Sequence, residues 1–372
     1  MEKYKDMKLR KKSMVKLCRN LLFFVLLIIF TFWFIFKDQD LNEMFNAIKS
    51  VNILYLGIGF LLLCFSVCME AINVRSLLKA LGERKISVLK AIKFTLIGFF
   101  FSAITPAATG GQPVEIYYMN KENISSAKAT LAMLIQVCSF QIVAIGLSFI
   151  CVLVNPGILD GGLLWLYIVG LALNSIALFF ELIAIFSKRL TKMLIDIVVI
   201  ILKGLKVRNV EKKVETIYSG LEKYNESSEF VLSHKGEFIK SILRVGFQMC
   251  LFHAIAYCVY LSFGFNELSF IKVFSTQAVL YTTVASIPLP GSIGVSESLF
   301  LQMYEKIYGA ALVSSGMLIF RCVSFYIHVI ISSIVVVINA LVMKDVKSEA
   351  DKSIDELDKT SELDLEEVKD SL

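Results

Sequence analysis

The sequence predicts an all-α polytopic membrane protein with about six full spans and two re-entrant broken helices related as an inverted repeat. Three observations carry this. Apolar residues make up 56% of the 372 and charged residues 19%, with a mean hydropathy of +0.71. That leaves too little polar surface to cover a soluble globule of this size. The apolar residues fall into runs long enough to cross a bilayer. Four of the five prolines cluster in two of those runs, beside glycines.

The elements follow in order. Eight Lys/Arg precede residue 20, and the apolar run 21–36 comes next, closed by Asp38, Asp40 and Glu43. With no small-x-small cleavage site, it reads as a retained signal anchor behind a cytosolic basic segment, 1–19. The transmembrane region then extends over 20–343. Its second run, 51–69, precedes a basic loop carrying Arg75, Lys79, Arg84, Lys85, Lys90 and Lys93, placed in the cytosol by the positive-inside rule. The third, 94–114, is uncharged but broken by Pro106, Gly110, Gly111 and Pro113. Runs 131–154 and 163–186 are joined by a short loop. A polar stretch, 187–240, follows with eleven Lys/Arg; it reads as a cytosolic and interfacial linker. The sixth run is 242–263. The seventh, 273–296, is again uncharged and again broken, by Pro288, Pro290, Gly291 and Gly294. The last is 309–343. The tail 344–372 carries five Lys against eleven Asp/Glu and reads as disordered and cytosolic.

Loop charge puts 72–93 and 187–240 on one side, and the two spans between 115–130 and 187–240 place 115–130 there too, so the third run must dip in and return. Aligning Pro106 with Pro288 places Glu115 and Glu297 nine residues beyond the aligned proline in each copy. The two copies follow spans that exit on opposite sides, which makes them an inverted repeat. Broken helices in corresponding positions of such a repeat point to a transport site near the midplane.

The chemistry-bearing residues gather there. Pro113 suits the first turn of a helix, where its missing N–H costs nothing, and Glu115 and Glu297 read as first-turn acids complementing positive helix ends. The same two carboxylates can instead converge on a wet cavity and attract a cationic head group. Arg321 stands in a long apolar run, where an arginine costs ~2.5 kcal/mol or more unless partnered. Glu297, Glu115 and a lipid phosphate are its candidate partners. Glu181 lies near a span end and can snorkel. Gln136, Gln141, Asn174, Gln248 and His253 read as interhelical hydrogen-bonding groups, and His328 as a core histidine. Eight cysteines without a CxxC, three histidines, and no GxSxG, Walker A, HExxH or GxGxxG motif argue against metal, cofactor, redox and nucleotide chemistry. Nucleic acid is excluded as a direct partner for want of a folded basic domain.

The segments TGGQPVEIYYMNK (109–121) and PLPGSIGVSESLF (288–300), with FRC at 320–322, resemble the lysylphosphatidylglycerol synthase transmembrane family, the flippase-like membrane domain of the multiple peptide resistance factor. Gly111, Pro113, Pro290, Gly291, Gly294, Glu297 and Arg321 fit the family pattern. Gln112 replaces an acid, Ser292 replaces a glycine, and Glu115 stands where many members carry arginine or another polar residue. The resemblance implies a substrate site at Glu297, Arg321, Glu115, Gly111, Pro113, Gly291 and Gly294. It also implies movement of a polar lipid, such as lysyl-phosphatidylglycerol, between leaflets of a bacterial plasma membrane, in support of resistance to cationic antimicrobial peptides. The lipid substrate is an anionic or aminoacylated phospholipid. A separate soluble synthetase and a second copy of the chain are the protein partners left open.

Two other functions stay open: a tRNA-dependent phosphatidylglycerol lysyltransferase, alone or as a membrane subunit, and a non-transporting scaffold. The 29 residues after the last span are too few for a transferase domain, which favours the transporter.

Overall fold

The computed structural model describes residues 46, 48–83, 85–105, 108–204, 218, 235–285 and 292–339. The predicted anchor at 21–36, the acidic tail and the residues Pro106, Pro288, Pro290 and Gly291 lie outside them. The described residues form ten α-helices and no strand.

In chain order these are α1 (Ile53–Ala80), α2 (Val88–Ala103), α3 (Gly111–Lys121), α4 (Ser126–Val154), α5 (Leu163–Phe186), α6 (Lys188–Gly204), α7 (Lys235–Ser262), α8 (Phe270–Val284), α9 (Val295–Tyr308) and α10 (Val313–Arg321). A π-helical turn, Cys322–Tyr326, carries α10 onward to Asn339. Helices α1, α4, α5, α7 and the continuous α10 segment are long and apolar enough to span a membrane. Their outer faces expose Phe65, Phe149, Trp165, Phe247 and Ile334, as lipid-facing surfaces do. The protein is therefore an all-α, multi-pass membrane protein.

The two broken runs fold as helical hairpins, α2–α3 and α8–α9. Ser87 and Ser269 start α2 and α8, each side-chain oxygen accepting from the backbone N–H three residues on. In α2–α3 the returning helix lies so close to the outgoing one that a Cβ on Gly111 would sit 1.9 Å from Ser102 Oγ and 2.9 Å from the Gly98 carbonyl. In the second hairpin the chain re-enters the helix through Ser292 (φ 51°) and Gly294 (φ 90°). Ser292 thus occupies a left-handed conformation that glycine adopts without strain, at the position where the family resemblance expects a glycine.

The contacts fix how the hairpins point. Glu122, just past α3, bonds Lys90 at 2.7 Å and Lys93 at 2.5 Å near the start of α2, and Lys128 bonds Glu83 at 2.9 Å. Both ends of α2–α3 therefore sit at one end of the bundle. At the opposite end, the Asn52 N–H donates to the Ser262 carbonyl at 2.7 Å, Lys306 pairs with Asp160, and the Tyr308 ring packs on Phe263 and Phe265. Both ends of α8–α9 sit there. The hairpins thus enter from opposite ends, which is the inverted arrangement.

Their tips meet. Phe100, Ala103 and Ile104 from the first pack with Ile293 from the second and Phe325 beyond α10. Larger apolar clusters flank this contact. One packs Phe94 and Met119 of the first hairpin against α1 and α4, around Leu78, Leu131 and Ile135. The other packs Phe300 and Tyr304 of the second hairpin against α7 and α10, around Ile255, Met317 and Phe320.

Candidate functional site

Between the hairpins lies a cavity of ≈ 550 Å³, within the size range of small-molecule sites. Helical periodicity selects its walls. Leu63, Ser66, Val67 and Glu70 are one face of α1; Thr95, Gly98, Phe99 and Ser102 are one face of α2. From α10 come Met317, Phe320 and Arg321, and from the π-helical turn and just beyond it Ser324, Phe325 and His328. Single-turn π segments of this kind are frequent at functional sites.

Glu297 and Arg321 form the most tightly bonded part of the wall. Glu297 is 1% exposed and stands at the third position of α9. Its Oε2 accepts from the Gly294 N–H at 2.7 Å, and its Oε1 accepts from Arg321 Nε at 2.6 Å. Arg321 Nη2 donates to Ser296 Oγ at 2.6 Å, and the guanidinium lies 4.7 Å from the Phe325 ring centre. One carboxylate thus caps a helix and neutralises a cation, so first-turn acid and functional charge are two aspects of one residue. Of the three candidate partners for Arg321, the structure brings it to Glu297.

Glu115 differs. It lies in the second turn of α3, not the first, because the helix begins at Gly111; Pro113 takes the third position. The side chain is 5% exposed, and its Oε1 has no hydrogen-bond partner. It presses against Gly98, where an added Cβ would come within 2.5 Å of Oε2. Glu70 of α1, a like charge, lines the same cavity and accepts from Gln248 Nε2 at 3.1 Å. Glu115 and Glu297 are therefore not a matched pair: one is ion-paired and the other is not.

Glu181 also lines the cavity, and its buried Oε2 has no partner, so it faces the interior where the sequence suggested snorkelling. Among the described residues, four glutamates and one arginine share this wall. The buried cavity atoms without a hydrogen-bond partner among the described residues are mostly acceptors, namely Glu115 Oε1, Gln141 Oε1, Glu181 Oε2 and Gln248 Oε1, beside the Thr95 hydroxyl and His328 Nε2. Such a surface suits a ligand rich in donors and positive charge. Among the described residues no group of three or more His, Cys, Asp or Glu is placed to hold a metal.

Of the seven residues expected to bind substrate, Glu115, Glu297, Arg321 and Gly111 line the cavity. Pro113 is exposed at the start of α3, Gly294 forms the turn before α9, and Gly291 lies outside the described residues. The remaining polar residues divide. Asn73 donates to both Gln136 and Ser241, and Asn174 donates to the Thr282 carbonyl at 3.1 Å, tying spans together. Gln248 does the same, but its partner is a cavity glutamate. His253 sits among the rings of Phe252, Phe274 and Tyr281. His328 stacks on Phe99 with ring centres 3.5 Å apart and lines the cavity.

Glu70 is the residue that the sequence reading missed. The apolar run ends at Met69, so Glu70 looked like the first residue outside the membrane. The usable signal was the i, i+3, i+4, i+7 spacing of Leu63, Ser66, Val67 and Glu70, which continues one helix face.

Two opposed hairpins around a charged internal cavity define a polytopic membrane protein with the architecture of a broken-helix inverted repeat. The family model for the lysylphosphatidylglycerol synthase TM region matches residues 21–332, and the chain belongs to that family. A UPF0104 membrane protein of Archaeoglobus fulgidus is 28% identical over 100 residues, spanning 27% of this chain and 30% of that protein.

Proposed function

We propose that the protein is a lipid flippase that moves a polar, net-cationic phospholipid between leaflets, with lysyl-phosphatidylglycerol as its best-fitting cargo. The observation that carries this reading is the excess of four cavity glutamates over one arginine that is already ion-paired. A lysyl lipid brings two ammonium groups and one phosphate, so its head group is cationic overall. An unmodified anionic phospholipid meets the same wall as a like charge. At an effective dielectric of ~20, a unit charge ~4 Å away is worth roughly 4 kcal/mol before desolvation. A third of that gives about tenfold selectivity. In this reading the basic end of the bundle faces the cytosol of a bacterial cell, both termini are cytosolic, and a separate soluble synthetase supplies the lipid. Export of such a lipid lowers the negative charge of the outer surface, which supports resistance to cationic peptides.

The test is a leaflet-resolved assay in proteoliposomes, using a membrane-impermeant amine reagent for the lysyl lipid and a head-group-labelled phosphatidylglycerol for comparison. Faster movement of the lysyl lipid is the expected result. Equal rates for the two lipids would remove the charge-matching argument, and no movement of either would refute the flippase reading.

A further inference from the structure

Glu70 and Glu115, which line the same cavity, differ from Glu297 in one physical respect: among the described residues no cation is paired with either. Glu115 is 95% buried by its 5% exposure, and its Oε1 has no hydrogen-bond partner. The hydrogen-bond donor to Glu70 is the neutral Gln248 amide. Among the described residues, Arg321 is the one lysine or arginine that lines the cavity. Lys90 and Lys93 of α2 bond Glu122, Arg244 of α7 bonds Glu237 and Asn73, and Arg321 bonds Glu297. Burying one unpaired carboxylate is costly, and two that share a low-dielectric site take up a proton rather than both ionise.

The other titratable groups facing the cavity are Glu181 from α5, Tyr281 from α8, Glu297 from α9, and Arg321 and His328 from the last span. The faces of α4 and α7 that line it contribute no titratable group. Glu297 is held by Arg321, which leaves Glu70, Glu115 and Glu181 as the cavity carboxylates without a counter-ion among the described residues, and of these Glu115 interacts electrostatically with Glu70.

We infer that Glu70 and Glu115 form a cation-exchange site that holds one proton or one lipid ammonium, but not both, so that lipid movement is coupled to proton counter-movement. This rests on the reading of the cargo as a cationic lipid. The exclusivity follows from chemistry, since proton and ammonium compete for the same carboxylate lone pairs. The charge also balances. A head group of net charge +1 moving one way, against one proton moving the other, transfers no net charge. The proton comes from the water on the side where the lipid is released, and it leaves to the water on the side where the lipid is loaded.

Two measurements test this. In the first, the purified full chain in lipid nanodiscs is titrated by infrared difference spectroscopy. In a Glu181→Gln background, which removes the other buried cavity carboxyl without a counter-ion, a carboxylic-acid C=O band is expected, lost in both Glu115→Gln and Glu70→Gln because each variant breaks the shared site. Adding lysyl-phosphatidylglycerol at constant pH should remove the same band and release about one proton per chain into weakly buffered medium. In the second, proteoliposomes carry a one-unit pH gradient. For one proton per lipid, the accumulation ratio should shift about tenfold, and Glu115→Gln should lose that response.

A band that persists in both variants overturns the inference, as does lipid movement that ignores the pH gradient or follows a sodium gradient instead. Movement unaffected by any gradient leaves the flippase reading standing while this one fails. If no lipid moves at all, the flippase reading fails, and the infrared and proton-release arm still decides whether the exchange site exists.

Discussion

Removing either member of the Glu297–Arg321 pair should be more damaging than removing both. The carboxylate is 1% exposed and the arginine side chain 12%, with 2.6 Å between Oε1 and Nε. Glu297→Gln keeps the size of the side chain but supplies one acceptor oxygen where two are used. Gly294 N–H and Arg321 Nε are both donors, so one of them must face the new amide NH₂. Arg321→Met leaves the opposite defect, a buried carboxylate held only by the Gly294 N–H and the Ser296 hydroxyl. Breaking a buried pair by removing one partner typically costs ~3–5 kcal/mol, whereas replacing both charges is often near neutral. In the double variant Glu297→Gln/Arg321→Met, the amide oxygen can turn to Gly294 and retain the helix start. The expected stability is within ~1–2 kcal/mol of the parent, giving a coupling of at least ~4 kcal/mol. Thermal unfolding in detergent, followed with a thiol-reactive dye reporting on the buried Cys138, Cys151 and Cys258, measures it. If the two single losses simply add in the double variant, the ion pair does not hold α9 to the last span and the reasoning fails.

Three further outcomes follow from the same geometry. Gly111→Ala should destabilise the first hairpin by ~1–3 kcal/mol, because its Cβ would meet the Gly98 carbonyl at 2.9 Å even after Ser102 rotates away; a melting temperature equal to the parent's contradicts the close approach. Hydrogen bonds from Lys90 and Lys93 hold the Glu122 carboxyl below the ordinary carboxylate range, so its contribution is present above the unfolded-state value of ~4.3 and is lost as pH falls through the lower folded-state value. Glu122→Gln should therefore cost less than ~1 kcal/mol at neutral pH, with the gap to the parent closing in acid; a gap that widens in acid reverses the sign and refutes it. In a background without the native cysteines, Lys85→Cys and Asn120→Cys should label from one side of the membrane and Lys306→Cys from the other, and labelling of Asn120→Cys from the Lys306 side would make the third run a full span.

The sequence by itself determined the membrane class, the positions of the spans and the two breaks, because each depends on local quantities. Hydropathy over one helix length sets the cost of crossing lipid, and proline and glycine interrupt a helix wherever they stand. It also marked Glu297 and Arg321, since isolated charges in apolar runs demand a partner. Only the tertiary structure decided which partner. Arg321 meets Glu297, 24 residues away, and leaves Glu115 to Glu70. Glu70 itself lay one residue beyond an apolar run, yet α1 continues to Ala80 because Asn73 and Glu70 find partners on α7 in Ser241 and Gln248, 168 and 178 residues along the chain. Hydropathy records what a residue loses on leaving water, but not which distant group repays that loss. The pairing of buried charges is set by distances in space, which the packing of the hairpins creates.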